Sequence, residues 1–248
     1  MRVCVVIPTY NESASIGRTL ERLLANGPDY HVLVVDDNSP DNTASVVAAL
    51  AKKEPRIHLL VRLDDRGFGT AVRDGFRQAL LKGAKFVGQM DADGSHDAAE
   101  FPHMREIIES GMADLVIGSR YVRGSKILGW GPMRYVNSHV ANRLARLVTG
   151  VPANDATNGL RLFRREVLES LDLDAVLSRG YSIILETNFR SHRAGYRIAE
   201  VPITFHPRQA GASKMGFREI YRFCVFLVRL RFYKTPKAKE TPATRKAA

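Results

Sequence analysis

Blocks of apolar and polar positions alternate along the first half of the chain. Continuous apolar runs between turn residues are typical of strands buried on both faces, and apolar residues at helical spacing indicate the helices between them. The predicted strands are 3–7, 31–35, 57–61, 86–90 and 114–120, and the predicted helices are 15–26, 43–53 and 70–82. This order predicts an α/β fold, a mostly parallel sheet flanked by helices.

The second half of the chain has a different pattern. Helices are predicted at 134–147 and 182–191, and a strand with one solvent-facing side at 197–205. Segment 217–233 is rich in large apolar residues but holds four arginines, so it is too short and too charged to span a membrane. It fits an amphipathic helix among lipid headgroups, and a helix docked on the protein's own surface fits equally well. The basic tail 234–248 is predicted to be disordered.

Composition adds a marked charge asymmetry to this picture. The net charge is −4 over residues 1–116 and +11 over residues 117–233. The basic half favours an anionic partner, such as phosphate groups or an anionic membrane surface. Nucleic acid is not expected, because neither an aromatic–basic RNA-binding motif nor a helix-turn-helix pattern is present. Two cysteines give no disulfide framework. Neither a signal peptide nor a transmembrane span is expected.

Polar clusters follow the first four predicted strands at the points where they end. They are Glu12, then Asp36 with Asp37, then the small-residue loop 67–70, then Asp91 with Asp93. Ligands in parallel α/β sheets bind outside the carboxyl ends of the strands, so four clusters in register indicate one nucleotide crevice. The Gly-x-Gly-x-x-Gly dinucleotide fingerprint does not follow the first strand.

The acidic pair after the fourth strand predicts a metal site. Residues i and i+2 of an extended segment share a face, so Asp91 and Asp93 bring two carboxylates close together. Such a pair repels unless a cation or a proton lies between the carboxylates, and hard oxygen ligands suit Mg²⁺ or Mn²⁺. The alternative is an Asx-rich turn that caps the next helix, a role open to Ser95, His96 and Asp97.

Two arginines of the basic half are candidates for binding phosphate. Arg120 ends the strand 114–120 on the crevice side, and Arg134 begins the helix 134–147. The planar guanidinium fork binds phosphate oxygens in pairs, and a helix N-terminus also favours an anion. A solvated surface arginine is the alternative for Arg120, and simple packing is the alternative for the neighbouring Trp130.

These motifs resemble those of family 2 glycosyltransferases with a GT-A (Rossmann-like) fold. Within that family the chain is most similar to the dolichol-phosphate (polyprenol-phosphate) mannosyltransferases. The matching segments include 8–12, 36–41, 67–71, 90–96, 118–121, 155–161, 180–182 and 211–216. The resemblance covers residues 1–216, which it divides into a nucleotide and metal half, 1–116, and an acceptor half, 117–216.

The resemblance implies a reaction. It is inverting, metal-dependent transfer of mannose from GDP-mannose to a polyprenyl monophosphate, giving polyprenyl phosphate β-mannose for glycan or glycoprotein assembly. A phosphate acceptor is already an anion at neutral pH and needs no strong general base. The alternatives are a glucosyl- or other sugar transferase to the same lipid or to a glycan, and a non-catalytic membrane-associated anion-binding protein.

The resemblance also implies site residues and partners. Those expected to be catalytic are Asp93, Arg120 and Asp155. Those expected to bind the nucleotide sugar are Pro8, Tyr10, Glu12, Asp37, Gly69, Gln89, Asp91, Arg208 and Lys214. Arg120 and Arg134 are expected at the acceptor phosphate, and Asp91, Asp93 and Ser95 at Mg²⁺ or Mn²⁺. The protein is expected to be peripheral on the cytoplasmic face of a membrane, and a membrane-anchoring partner subunit is left open.

Overall fold

The computed structural model describes residues 1–207 and 217–232, and within them the chain forms short strands and helices in alternation. The strands are β1 (Val3–Thr9), β2 (Tyr30–Asp36), β3 (Ile57–Val61), β4 (Phe86–Gln89), β5 (Leu115–Ser119), β6 (Lys126–Ile127), β7 (Arg161–Arg164), β8 (Ile198–Pro202) and β9 (Thr204–Phe205). The five strands predicted in the first half are all present, with ends within a few residues of those expected.

The helices follow the same alternation. They are α1 (Ile16–Leu24), α2 (Thr43–Ala51), α3 (Phe68–Leu81), α4 (Phe101–Glu109), α5 (Pro132–Thr149), α6 (Arg165–Ser170), α7 (Ile183–Arg193) and α8 (Phe217–Arg231). The helix α4 was not predicted. It follows a short 3₁₀ turn whose N-cap, Asp97, accepts the Ala99 N–H at 3.0 Å. Asp97 thus has the capping role considered in the sequence analysis.

Seven strands form one sheet in the order β3-β2-β1-β4-β7-β5-β8. Every neighbouring pair is parallel except the two made by β7, which is antiparallel to both β4 and β5. The predicted α/β fold with a mostly parallel sheet is therefore confirmed. The strand β7 was not predicted from the sequence, because it has only four residues and begins with a charged residue, Arg161, which pairs with Gln89 in the sheet.

Alternate residues of the central strand β1 enter two apolar layers, one on each face of the sheet. Val5 and Ile7 belong to the layer that contains Leu20 of α1, whereas Val6 belongs to the layer that contains Phe76 of α3. Both layers are fully shielded from water around β1, which explains its continuous apolar run.

The helix α8 packs against the body of the protein along one face. Phe226, Leu227 and Leu230 are buried in the apolar layer next to α3, whereas Val228 and Phe232 are exposed. Docking on the protein's own surface, one of the two alternatives for this segment, thus accounts for one face of the helix. Among the described residues, the helices all lack the length and apolar character needed to cross a bilayer.

Candidate active site

A cavity of about 850 Å³ opens at the carboxyl edge of the sheet, where β1, β2 and β4 end. Six residues predicted to bind the nucleotide sugar or a metal lie in its wall. They are Pro8, Tyr10, Glu12, Asp37, Asp91 and Asp93. Parallel strands bring their carboxyl ends to one edge, so the polar clusters that are distant in sequence meet there.

Backbone hydrogen bonds hold the turn that carries the paired aspartates. The Ser95 N–H donates to Asp93 Oδ1 at 3.0 Å, and the Asp91 N–H donates to His96 Nδ1 at 3.3 Å. Gly159 packs directly against Asp91, because a Cβ added at Gly159 would lie 3.2 Å from Asp91 Oδ1. The neighbouring loop 155–161 therefore fixes Asp91 from the opposite side, and only a small residue fits at the contact.

The donor atoms of this turn fit a hard divalent cation. Asp91 and Asp93 supply carboxylate oxygens in the cavity wall, and Ser95 adds a buried hydroxyl that has no hydrogen-bond partner among the described residues. Within residues 1–207 and 217–232, no group of three or more His, Cys, Asp or Glu side chains is placed to hold a metal. Sites built on two carboxylates are typical of Mg²⁺ or Mn²⁺ held together with substrate phosphates.

Asp37 lies in the cavity wall, but its carboxylate is largely engaged by the protein. Arg62 Nε donates to Asp37 Oδ1 at 2.7 Å, and the Gly67 N–H donates to Asp37 Oδ2 at 2.8 Å. Arg62 itself is 7% exposed and also bonds Asp74 and Thr70. Asp37 therefore ties the loop after β3 to the loop after β2, a contact that the sequence did not reveal.

Gly69, predicted to bind the nucleotide sugar, has a different role in the structure. Its N–H donates to the Arg179 carbonyl at 2.8 Å, so it is not directed at a phosphate. A Cβ at this position would lie 2.4 Å from the Ser178 carbonyl oxygen. The glycine is thus needed for the close approach of segment 177–182, which forms the wall of the cavity beside α3.

Glu186 of α7 holds segment 177–182 in place through hydrogen bonds to its backbone. Its fully buried carboxylate accepts the N–H groups of Leu177 and Ser178, both at 2.9 Å, and pairs with Arg190 at 2.7 Å. A buried carboxylate is stable only with such partners. Gly180, Tyr181 and Ser182 form one of the matching segments, but no local sequence feature indicated that Glu186 would hold this region.

Gln89, also predicted to bind the nucleotide sugar, is fully buried and does not line the cavity. Its side-chain oxygen accepts a hydrogen bond from Arg161, which also donates to Thr187 at 2.6 Å and Asn188 at 2.9 Å. Burial lowers the pKa of Arg161 to about 9, so its guanidinium stays charged at neutral pH. Gln89 therefore holds a buried cation at the end of β4, two residues before Asp91.

Arg120 and Asp155, both predicted to be catalytic, bind each other. Arg120 Nε and Nη2 donate to the two oxygens of Asp155, each at 2.7 Å. Burial disfavours the charged form of Arg120, but the Asp155 carboxylate outweighs burial and Asp91 adds to its effect, so the pKa of Arg120 is raised. Glu200 fixes Asp155 in turn by accepting its N–H at 2.9 Å.

Arg134 joins Arg120 at a shared aromatic ring. The Arg134 Cζ lies 4.3 Å and the Arg120 Cζ 5.1 Å from the centre of the Trp130 ring. Neither arginine lines the 850 Å³ cavity, so the two predicted acceptor residues form a separate group next to the loop 155–161. The remaining predicted cations, Arg208 and Lys214, lie outside the described residues.

Several residues in the cavity wall were not among the predicted site residues. They are Arg66, Phe68, Arg179, Tyr181 and, from α8, Val225, Phe226 and Arg229. The rings of Phe68 and Tyr181 stack with their centres 4.5 Å apart. Phe68 and Tyr181 lie in the matching segments 67–71 and 180–182, whereas the contributions of Arg179 and α8 depend on tertiary packing.

A mostly parallel α/β sheet with a carboxylate-lined cavity at its carboxyl edge, and an arginine pair beside it, fits a glycosyltransferase. The chain belongs to glycosyl transferase family 2, whose family model matches residues 4–172.

Curated relatives share most of this chain. An undecaprenyl-phosphate mannosyltransferase of Micrococcus luteus is 43% identical over 216 residues, which cover 87% of this chain and 88% of the relative. A polyprenol monophosphomannose synthase of Mycolicibacterium smegmatis is 42% identical over 216 residues, covering 87% of this chain and 81% of the relative. The resemblance to polyprenol-phosphate mannosyltransferases drawn from the motifs is confirmed.

Solved structures of glucosyl-3-phosphoglycerate synthase from Mycobacterium tuberculosis share the fold. One, a complex with Mn²⁺, UDP and glucosyl-3-phosphoglycerate, has a TM-score of 0.66 at 18% identity and covers 92% of this chain and 78% of its own. Another, with Mn²⁺, UDP and phosphoglyceric acid, has a TM-score of 0.67 at 19% identity and covers 92% of this chain and 76% of its own. At this identity the likeness shows the GT-A fold alone.

Proposed function

We propose that this glycosyltransferase moves mannose from GDP-mannose to a polyprenyl monophosphate and releases polyprenyl phosphate β-mannose. The observation that carries the proposal is the division of the site into a carboxylate-lined cavity and a separate arginine pair. Two anions must come together in this reaction, and each region carries groups suited to one of them. The names of the two mannosyltransferase relatives support the same donor sugar and the same class of acceptor.

In this proposal the cavity binds the nucleotide sugar. Tyr10 and the stacked pair Phe68 and Tyr181 offer flat apolar surface for a base, and Arg66 and Arg179 offer positive charge for phosphates. Asp91, Asp93 and the Ser95 hydroxyl would hold Mg²⁺ or Mn²⁺. When bound there, the cation offsets the charge that develops on the departing diphosphate. The Mn²⁺ in the solved glucosyl-3-phosphoglycerate synthase structures supports this assignment by analogy of fold.

The acceptor phosphate binds at Arg120 and Arg134 in this account. Because the phosphate is already ionised at neutral pH, its oxygen attacks the anomeric carbon directly and inverts the configuration from α to β. Asp155 holds the fork of Arg120 with both of its oxygens, so its role is to orient that cation. The positive charge of the two arginines reduces the repulsion between the incoming phosphate and the diphosphate.

A stripe of exposed apolar side chains on α5 supports a peripheral position on a membrane. Its members lie at helical spacing and are 44–73% exposed: Met133, Val136, Val140, Leu144 and Leu147. The first turn of the same helix carries Arg134, so an apolar face and a phosphate ligand would meet the bilayer together. The cytoplasmic face, and a partner subunit that strengthens anchoring, are parts of the same proposal.

Product analysis tests the proposed reaction. Purified protein is incubated with Mn²⁺, a short polyprenyl phosphate and a panel of radiolabelled sugar nucleotides, and the lipid product is identified by mass spectrometry. We expect a hexosyl phosphate lipid from GDP-mannose alone. Transfer from UDP-glucose but not from GDP-mannose would overturn the donor assignment, and mannose transfer to a glycan but not to the lipid would overturn the acceptor assignment.

A further inference from the structure

Trp130 stands between the two arginines proposed to bind the acceptor phosphate. The Arg134 guanidinium carbon is 4.3 Å from the centre of its ring, and that of Arg120 is 5.1 Å away. A cation within about 6 Å of an aromatic face is attracted by the negative potential of the ring, most strongly at tryptophan. One indole thus holds two like charges that would otherwise repel each other.

The two arginines that contact Trp130 lie in different surroundings. Arg120 is fixed by both oxygens of Asp155 and is largely buried. Arg134 is exposed on the first turn of α5, and its guanidinium lies over the Trp130 ring. Among the described residues, Trp130 is the one ring that contacts both guanidinium groups, so it links the position of Arg134 to that of Arg120.

Trp130 is itself held by a chain of rings that leads to the metal turn. The Phe205 ring packs edge-on against both Trp130 and His96. The ring centres are 5.4 Å apart for Phe205 and Trp130 and 5.5 Å apart for Phe205 and His96. His96 accepts the Asp91 N–H, and the next backbone contact, from the His206 N–H to the Ser95 carbonyl, ties β9 to the same turn at 3.0 Å. The indole is thus placed relative to the paired aspartates as well as to the arginines.

The indole N–H of Trp130 also favours an anion-binding site at this position. Trp130 Nε1 is buried and has no hydrogen-bond partner among the described residues. Most buried donors in folded proteins are paired, so an unpaired one beside two cations fits a place where an anion completes the bonding.

We infer that Trp130 is a positioning residue that holds Arg120 and Arg134 as one clamp for the phosphate of the acceptor. The inference rests on the proposed function only in taking the acceptor to be a phosphate. It does not depend on which sugar or nucleotide forms the donor.

Fluorescence offers a direct test, because Trp130 is the only tryptophan in the chain. The full-length protein is titrated with farnesyl monophosphate, and with inorganic phosphate in a parallel series, while tryptophan emission is recorded. We expect a saturable change in emission with both probes. Emission that stays constant while farnesyl monophosphate binds by calorimetry would overturn the inference.

A matched pair of arginine variants sharpens this titration. Arg134→Ala should raise the half-saturating concentration of farnesyl monophosphate by about tenfold or more, since one charge-assisted contact is lost. Arg143→Ala removes the same charge from an exposed position on the same helix, away from the ring, and should leave the titration unchanged. Equal effects of the two variants would mean that only net charge matters.

Variants at Trp130 separate positioning from mere packing. Trp130→Leu should raise the KM for the acceptor by about tenfold with the KM for the donor unchanged, because both arginines lose their common support. Trp130→Phe keeps an aromatic face and should recover part of this loss. Binding of GDP with Mn²⁺, followed by calorimetry, verifies that each variant retains the donor side.

The outcomes distinguish this inference from the proposed function. If Trp130 responds to farnesyl monophosphate but no mannose is transferred, the clamp stands and the donor assignment fails. If mannose is transferred while Trp130→Leu keeps the acceptor KM of the native protein, the function stands and the clamp is wrong.

Discussion

The cavity proposed to bind the donor and the arginine pair proposed to bind the acceptor are built on different physical principles. Asp91 and Asp93 follow a central parallel strand and are held by backbone contacts of a tight turn. Arg120 and Arg134 stand beyond the sheet, where a buried carboxylate and one aromatic ring hold them. The donor side depends on main-chain geometry, whereas the acceptor side depends on side-chain pairs.

This difference in how the two regions are held predicts which substitutions each of them tolerates. In the turn after β4 the Asp93 side chain accepts the Ser95 N–H, and an asparagine keeps an oxygen at that position, so an Asp→Asn change should preserve the turn and the loss should fall on chemistry. A site held by side-chain pairs changes shape when either partner is removed, so binding and stability fall together.

The largest expected effect comes from the paired carboxylates. Asp91→Asn with Asp93→Asn should lower the rate of mannose transfer by about 10³-fold or more, because the charge that holds the metal is lost. Thermal unfolding should show that the fold persists. Asp97→Asn, at the neighbouring helix cap, is the control and should keep most of the activity. Retained activity in the double variant would favour a non-catalytic anion-binding protein.

Removing the carboxylate that holds Arg120 should affect both function and stability. Asp155→Asn leaves a buried guanidinium without its counter-charge, and we expect a loss of about 3 kcal/mol in the free energy of unfolding together with a raised acceptor KM. Urea denaturation measures the first effect and initial rates the second.

Asp114→Asn provides the comparison for this change. Its partners Arg197 and Arg164 are 60% and 28% exposed, so the same substitution should cost less, about 1 kcal/mol. Equal losses in the two variants would contradict the view that burial makes the Arg120–Asp155 pair critical.

A smaller effect is expected where the two regions touch. Gly159→Ala places a Cβ 3.2 Å from Asp91 Oδ1 and 3.4 Å from His96 Cε1, so the metal turn must shift by a few tenths of an ångström. We expect the Mn²⁺ concentration for half-maximal rate to rise by about tenfold. Gly17→Ala, in open space on α1, is the control and should have no effect on metal use.

The smallest expected effect concerns pH and lies outside the catalytic groups. Burial of Asp41 opposes ionisation, but hydrogen bonds from Thr43 and Ser13 outweigh it and lower the pKa of Asp41 to about 2. Since the unfolded value is near 3.9, the stabilisation is complete above the unfolded pKa and is lost as the pH falls towards 2.

Asp41→Asn should therefore lower the free energy of unfolding by about 1 kcal/mol at pH 7, the modest value expected for a partly exposed carboxylate. The difference between the two proteins should shrink by pH 3, as urea denaturation at the two pH values would reveal. A difference that grows on acidification would contradict the assignment.

The donor side was largely predictable from the sequence. Buried parallel strands have continuous apolar runs, and the rule that ligands bind at their carboxyl ends places Glu12, Asp37, Asp91 and Asp93 together without any knowledge of side-chain contacts. Two residues predicted there, Gly69 and Gln89, do not line the cavity and contact Arg179 and Arg161, which are more than 70 positions away in sequence.

The acceptor side was predictable only in its residue types. The periodicity placed Val136, Val140, Leu144 and Leu147 on one side of a helix, but periodicity alone does not reveal that this side is exposed. Trp130 gave no indication that Arg120 is its neighbour, because Arg120 belongs to a different segment and reaches the ring only in the folded protein.

The central claim is that a metal-dependent region binds the nucleotide and a metal-independent arginine clamp binds the acceptor phosphate. The most direct measurement compares equilibrium binding of GDP and of farnesyl monophosphate to one preparation, with Mn²⁺ and then with excess EDTA. We expect chelation to abolish GDP binding and to leave the Trp130 emission titration with farnesyl monophosphate unchanged. GDP binding that survives chelation, or the loss of both ligands together, would contradict the account.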